Sequence, residues 1–223
     1  MSLILAIVPP ILIAYYIYQK DKFDREPKGL IVKSFLFGCL SVIPILFLET
    51  IFNENLFSSL FIYMFCGVAL VEEGMKYFFL KKYLFNRSEF NEPLDGIVYA
   101  VMVSLGFATV ENISYVIGAQ EEGASVAVLR MFSAIPLHAA CGVIMGYFVG
   151  MAKFNKKNNN SLLLKGVFLA TLVHAIYNYF LFLGQGQILS FVALFIAIYY
   201  SKKAIRLHQN DSQIRNSKDE VIY

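Results

Sequence analysis

The chain has no tryptophan and only three cysteines, three histidines and six prolines among 223 residues, and just 16% of it is charged. Soluble domains carry about 25% charged residues, so this chain has too little charge to cover a water-facing surface, to stay disordered or to form a coiled coil. Cys39, Cys66 and Cys141 all fall in apolar stretches and form no Cys-x-x-Cys pair, which excludes a disulfide scaffold and leaves them as small packing residues. There is no Gly-rich phosphate loop, no internal repeat and no polar segment large enough to carry a separate activity. What the chain has instead is apolarity: 58% hydrophobic residues and a mean hydropathy of +0.60. Its solvent is therefore lipid. The net charge of +3 does not point to nucleic acid, because its meaning depends on where the basic residues sit.

A membrane-crossing helix needs roughly 20 mostly apolar residues. Seven stretches qualify: 2–18, 30–52, 57–80, 96–118, 126–151, 162–183 and 187–201. The expected fold is an all-α, polytopic bundle of about seven transmembrane helices. No basic residue precedes the first apolar run, so it reads as a retained span and not as a cleaved signal peptide; Pro9 and Pro10 at its middle predict a kink. Basic residues follow the first, third, fifth and seventh stretches: Lys20, Lys22, Arg25 and Lys28; Lys81, Lys82 and Arg87; Lys153, Lys156 and Lys157; Lys202, Lys203, Arg206, Arg215 and Lys218. The intervening connections, 53–56, 119–125 and 184–186, contain none. By the positive-inside rule the N-terminus is outside and the C-terminus cytosolic. Residues 1–207 read as one membrane domain, and 208–223 as a polar cytosolic tail that is disordered.

Six ionisable residues fall inside the spans: Glu72, Glu73, Lys76, Glu111, His138 and His174. A charge at mid-bilayer costs about 2.5–3.5 kcal/mol, so together they would cost on the order of 10 kcal/mol facing lipid. They must face one another or water. Helical spacing supports a shared interior. His138 heads a stripe of Gly142, Gly146 and Gly150; His174 lies on a row with Gly166, Ala170 and Asn178; Glu111 lies on one with Ala100, Ser104 and Phe107. Pro136 should loosen the helix just before His138. Lys76, at i+4 from Glu72 and i+3 from Glu73, can neutralise only one of them well, leaving the other for general acid–base work. A Glu base with His and Asn donors is what water attack on a carbonyl requires. Each residue also has a structural reading: an intramembrane Glu72–Lys76 ion pair, His138 and His174 as helix-to-helix hydrogen bonders, Glu111 and Asn112 as packing polarity. Asp95 reads as an N-cap, Glu49 as structural, and Arg130, near the outer end of its span, as snorkelling.

The ordered set VEEGMKYF (71–78), FATVEN (107–112), HAACG (138–142) and HAIYN (174–178) resembles the PrsW family of bacterial membrane proteases, with support from KDKFDREP (20–27) and from LDGIVYA and SLGF within 94–107. The likeness covers roughly residues 1–200. It extends to a wider group that includes the type II CAAX-prenyl endopeptidases, with a paired-Glu motif, a Phe-x-x-x-His motif and a late His-x-x-x-Asn motif. Glu72 and Glu73 match the first, and His174 with Asn178 the last. The middle motif departs, since Phe107 is followed at i+4 by Glu111, which leaves open whether Glu111 or His138 does the work of the missing His. Lys76 likewise stands one position before the Arg of the prenyl endopeptidases.

The resemblance implies a membrane-embedded endopeptidase of the bacterial cell membrane. It implies site-one cleavage of a single-pass anti-sigma factor, leading to release of an extracytoplasmic-function sigma factor in envelope stress or antimicrobial-peptide response. The expected catalytic set is Glu72, Glu73, His138 and His174, supported by Lys76, Glu111, Asn112 and Asn178, in a glutamate-type mechanism without a cofactor. Zinc is the variant, held by Glu72, His138 and His174, although no His-Glu-x-x-His spacing supports it. The rival class is a proton- or ion-coupled transporter using the same Glu/Lys/His set, which lacks an inverted repeat here. Lipid and the substrate are the expected partners, and nucleic acid is not.

Overall fold

Apolar runs of this length satisfy their backbone polar groups in lipid as helices, and every regular element in the computed structural model is helical. The structure describes residues 2–155, 157–184 and 186–220; Lys156 and the final residues of the expected tail, 221–223, lie outside them. The helices are α1 Ser2–Tyr18, α2 Lys28–Ile51, α3 Leu60–Ile62, α4 Leu70–Phe79, α5 Pro93–Gly118, α6 Gly123–Phe132, α7 Ala134–Phe154, α8 Asn159–Phe182 and α9 Gln187–Glu220. π-helical turns at Tyr63–Ala69 and Leu80–Leu84 join α3 and α4 into one rod, and α6 meets α7 at Ser133, so the described residues form the seven rods expected. Among the described residues, five helical stretches are long and apolar enough to cross a membrane, and α1, at 17 residues, is a shorter apolar helix.

At the centre stands α5, buried along most of its length and flanked by α1, α2 and α7. Small residues set these approaches. A Cβ on Gly106 would collide with the Phe35 carbonyl of α2, and one on Gly142 would lie 2.9 Å from Ser104 Oγ and 3.0 Å from Val101 Cα. Further along the same stripe, Cβ atoms on Gly146 and Gly150 would run into the carbonyls of Gly96 and Pro93. The outer helices present large apolar side chains to their surroundings, among them Ile43, Leu164 and Ile188 at 69%, 71% and 79% exposure. Water would penalise that surface and lipid does not.

Three local readings are corrected. α5 begins at Pro93 and its N-cap is Glu92; Asp95 is the reciprocal member of the capping box, its Oδ2 accepting from the backbone N–H groups of Asn91 and Glu92, both at 2.8 Å. The fifth rod breaks fully at Ser133, three residues before Pro136, because the proline lacks an N–H and its ring crowds the carbonyl four residues back. The tail read as disordered from His208 continues α9 to Glu220. His208 donates from Nε2 to the Tyr147 carbonyl at 2.9 Å and stacks on that ring, Gln209 donates to the Lys20 carbonyl at 2.7 Å, and Ser212 is buried. Buried positions at Ser201, Ile205, His208 and Ser212 form a helical stripe, three of its four residues polar, that hydropathy does not register.

Candidate active site

The π-helical turns flank the α4 segment that carries Glu72, Glu73 and Lys76, all turned inward and at most 3% exposed. π turns are often found at functional sites. Opposite α4, α7 supplies His138 just after its proline-broken start, and α8 supplies His174; both residues are 2% exposed. The glycine stripe below His138 draws α7 against α5, which carries Glu111. One potential ligand atom from each of Glu72, Glu73, His138 and His174 lies within 4.8 Å of the others.

Lys76 ties the group together. Its Nζ donates to Glu73 Oε1 at 2.8 Å and Glu72 Oε2 at 3.2 Å, so it serves both carboxylates and not one. It also lies 3.2 Å from His138 Nδ1 and 3.9 Å above the Phe107 ring. Because an ammonium only donates, His138 Nδ1 is the acceptor and Nε2–H donates to Glu111 Oε2 at 2.9 Å. His174 Nδ1–H donates to Glu73 Oε1 at 3.1 Å, and its ring meets that of His138 edge to face with centroids 5.1 Å apart. Two carboxylate–imidazole couples, Glu73–His174 and Glu111–His138, are thus joined through one ammonium.

The expected members differ in how closely they gather. Glu111 stands behind His138 and orients it. Asn112 accepts from Arg130, and Asn178, half-buried one turn beyond His174, forms no hydrogen bond to the four. Arg130, read from sequence as snorkelling, instead donates to Glu111 Oε2 at 2.6 Å and packs 3.9 Å over the Tyr115 ring. The available signal was that it is the sole basic residue on the outer side of the chain, as lipid-facing snorkelling and interior pairing share that position. Charge counting follows. Glu72, Glu73 and Glu111 form ion pairs with only two permanent cations, Lys76 and Arg130, so the carboxylates outnumber the cations that hold them, and a proton or a metal ion would supply the missing positive charge.

A family model described as PrsW family intramembrane metalloprotease matches residues 26–201. The chain is 40% identical over 176 residues to Protease PrsW of Oceanobacillus iheyensis, covering 78% of this chain and 80% of that one. Against Protease PrsW of Bacillus subtilis it is 37% identical over 177 residues, covering 78% and 80%. Against that of Clostridioides difficile it is 32% identical over 222 residues, covering 96% and 92%. No solved structure matches.

Proposed function

We propose, for a chain that belongs to the PrsW family of intramembrane proteases and is a multi-pass bacterial membrane protein, that Glu72, Glu73, His138 and His174 form the hydrolytic centre of an endopeptidase acting on a single-pass membrane protein. The observation that carries this reading is the convergence of those four side chains from three rods into one buried cluster. The proposed substrate is an anti-sigma factor cut at site one, whose cleavage leads to release of an extracytoplasmic-function sigma factor.

Glu72 is the general base. Lys76 and His174 both hold Glu73, whereas Glu72 has the longer of the two Lys76 bonds, leaving it freer to take a proton from water. As that proton moves to Glu72, the water oxygen bonds to the scissile carbonyl carbon and the carbonyl π electrons move to oxygen. The missing positive charge is a proton on His174: Nδ1–H stays on Glu73 and Nε2–H meets the oxyanion, with Asn178 one turn away as a second donor. Collapse of the intermediate breaks the C–N bond, and the departing amine takes the Glu72 proton. Glu111 and Arg130 keep His138 oriented, so that its Nδ1 holds Lys76 in place.

A second reading follows from the donor set, since the family description specifies a metal. Two imidazoles and two carboxylates are zinc-class ligands, and one potential ligand atom of each lies within 4.8 Å of the others, so the residues present fit such an ion. Glu72, His138 and His174 would hold it, in competition with the Lys76 ammonium for Glu72 and His138. Bound there it supplies Lewis-acid activation of water.

The test is reconstitution in liposomes with a single-pass anti-sigma substrate and mapping of the cut by mass spectrometry. Wild type should cleave, and Glu72→Gln and His174→Ala, inserted at normal levels, should not. Cleavage by both variants at the wild-type rate would show that the centre lies elsewhere. Metal content of the purified protein, with chelation and re-addition, separates the two readings.

A further inference from the structure

A second cluster of buried carboxylates lies at the opposite end of α5. Asp21, in the connection between α1 and α2, meets Glu92 and Asp95 at the start of α5, with one oxygen of each within 4.8 Å of the others. Asp21 and Asp95 are 0% exposed and Glu92 is 5% exposed. Glu26, also buried, lies beside them and accepts from the Tyr99 hydroxyl. Asp95 and Glu111 are sixteen residues apart on one helix, about 24 Å at 1.5 Å per residue, so this cluster is separate from the proposed hydrolytic centre.

We propose that Asp21, Glu92 and Asp95 bind a hard divalent cation, Mg2+ or Ca2+, that fastens the α1–α2 connection to the base of α5. Three observations carry this. The donors are all oxygen, which selects hard cations over zinc. Two oxygens on one ion can be at most twice the bond length apart, about 4.2 Å for Mg2+ and about 5 Å for Ca2+, so the 4.8 Å bound needs little or no rearrangement. Finally, Asp21 Oδ1 and Asp95 Oδ1 are buried with no hydrogen-bond partner among the described residues, while the second oxygen of each is occupied by backbone N–H groups. Among the described residues no basic side chain forms an ion pair with Asp21, Glu26 or Asp95. Burial of unneutralised carboxylates is costly. Consistent with that cost, burial pushes the Asp21 carboxyl up to about 6 and that of Glu26 up to about 7. The surrounding connections are those whose basic residues assign them to the cytosol, where an ion can reach the cluster without crossing the membrane.

The experiment uses the full chain purified in detergent, with thermal unfolding followed in EDTA and in separate Mg2+, Ca2+ and Mn2+ titrations at constant ionic strength. Wild type and Glu72→Gln should show a saturable rise, ~5 °C at a hundredfold excess over Kd, and Asp21→Asn should show none. The cation giving the lowest half-saturation identifies the ion. Should Asp21→Asn fail to fold, Mn2+ electron paramagnetic resonance on wild type and His174→Ala decides: one ion per chain in both, displaced by Mg2+ or Ca2+, supports the site. No shift in any arm means that the carboxylates share protons instead, and overturns the proposal. So does a shift that persists in Asp21→Asn, or Mn2+ binding that disappears with His174.

Discussion

Arg130 is the residue whose removal tests most sharply how the site is held together. In Arg130→Ala the structure loses the 2.6 Å bond to Glu111, a bond to Asn112 and the stacking contact on Tyr115. Breaking a buried ion pair by deleting one partner costs about 3–5 kcal/mol. Here the Arg130 and Glu111 side chains keep 14% and 20% exposure, and Glu111 retains His138 at 2.9 Å, so the cost falls at or below the bottom of that range, about 2–3 kcal/mol. Glu111→Gln should cost about 2 kcal/mol, since the arginine keeps Asn112 and Tyr115 and the amide still accepts from both former donors. If Arg130 acts through the Glu111 charge, the double variant should cost about 2–3 kcal/mol and not the sum, a coupling of about 2 kcal/mol, or roughly thirtyfold. Activity should follow the same pattern. Without Arg130, Glu111 keeps His138 as its sole remaining partner of those two and draws a proton onto that ring, which turns Nδ1 from an acceptor into a donor facing the Lys76 ammonium and disorders the cluster. The expected loss is about 10- to 100-fold in kcat with KM little changed. The assay is a double-mutant cycle, with thermal unfolding and cleavage of a reconstituted substrate measured on the same preparations. Costs that add to within about 0.5 kcal/mol, or an Arg130→Ala enzyme with wild-type kcat, would refute the coupling.

Three further outcomes follow. Gly146→Ala should destabilise by at least about 1–3 kcal/mol, because its Cβ would meet the Gly96 carbonyl and lie 2.6 Å from Ile97 Cα; Gly74→Ala, whose Cβ meets nothing within 4 Å, should stabilise by about 0.5–1 kcal/mol, and thermal unfolding of the pair checks the opposite signs. With divalent ions chelated, the raised carboxyls of Asp21 and Glu26 mean that the folded chain binds protons more tightly than the unfolded one. That stabilisation is complete below about pH 4 and is lost as pH rises through about 6 to 7, so Tm in EDTA should fall from pH 5 to 8 and Glu26→Gln should flatten the upper part; a rising Tm would contradict this. Lys76→Met removes the ammonium that competes for Glu72 and His138, so metal analysis after equilibration with zinc should find more bound ion than in wild type, and an equal or lower content would count against the zinc-class reading.

Secondary structure was legible wherever one physical quantity dominated. Hydropathy located seven helical rods, and the His138 glycine stripe correctly marked a close crossing, because only glycine lets two backbones touch. The signal weakened where helices are polar. The α9 extension past His208 was misread because its stabilising contacts, to Tyr147 and Lys20, come from other parts of the chain. The same holds for Arg130, whose partners lie 18 and 19 residues back.

The sequence by itself determined that this chain belongs in lipid, that it is helical, and which few ionisable residues had to find partners there, since burying a charge in hydrocarbon carries a cost that composition and spacing expose. Only the tertiary structure decided which partners they found. That Glu73 pairs with His174 from 101 positions away, that Glu111 stands behind His138, and that one ammonium bridges both Glu72 and Glu73 depend on how α8 packs on α4 and α7 and how α4 and α7 meet α5. Crossing distances and rotations are set by backbone contacts between helices, which neither helical periodicity nor the charge of any one residue encodes.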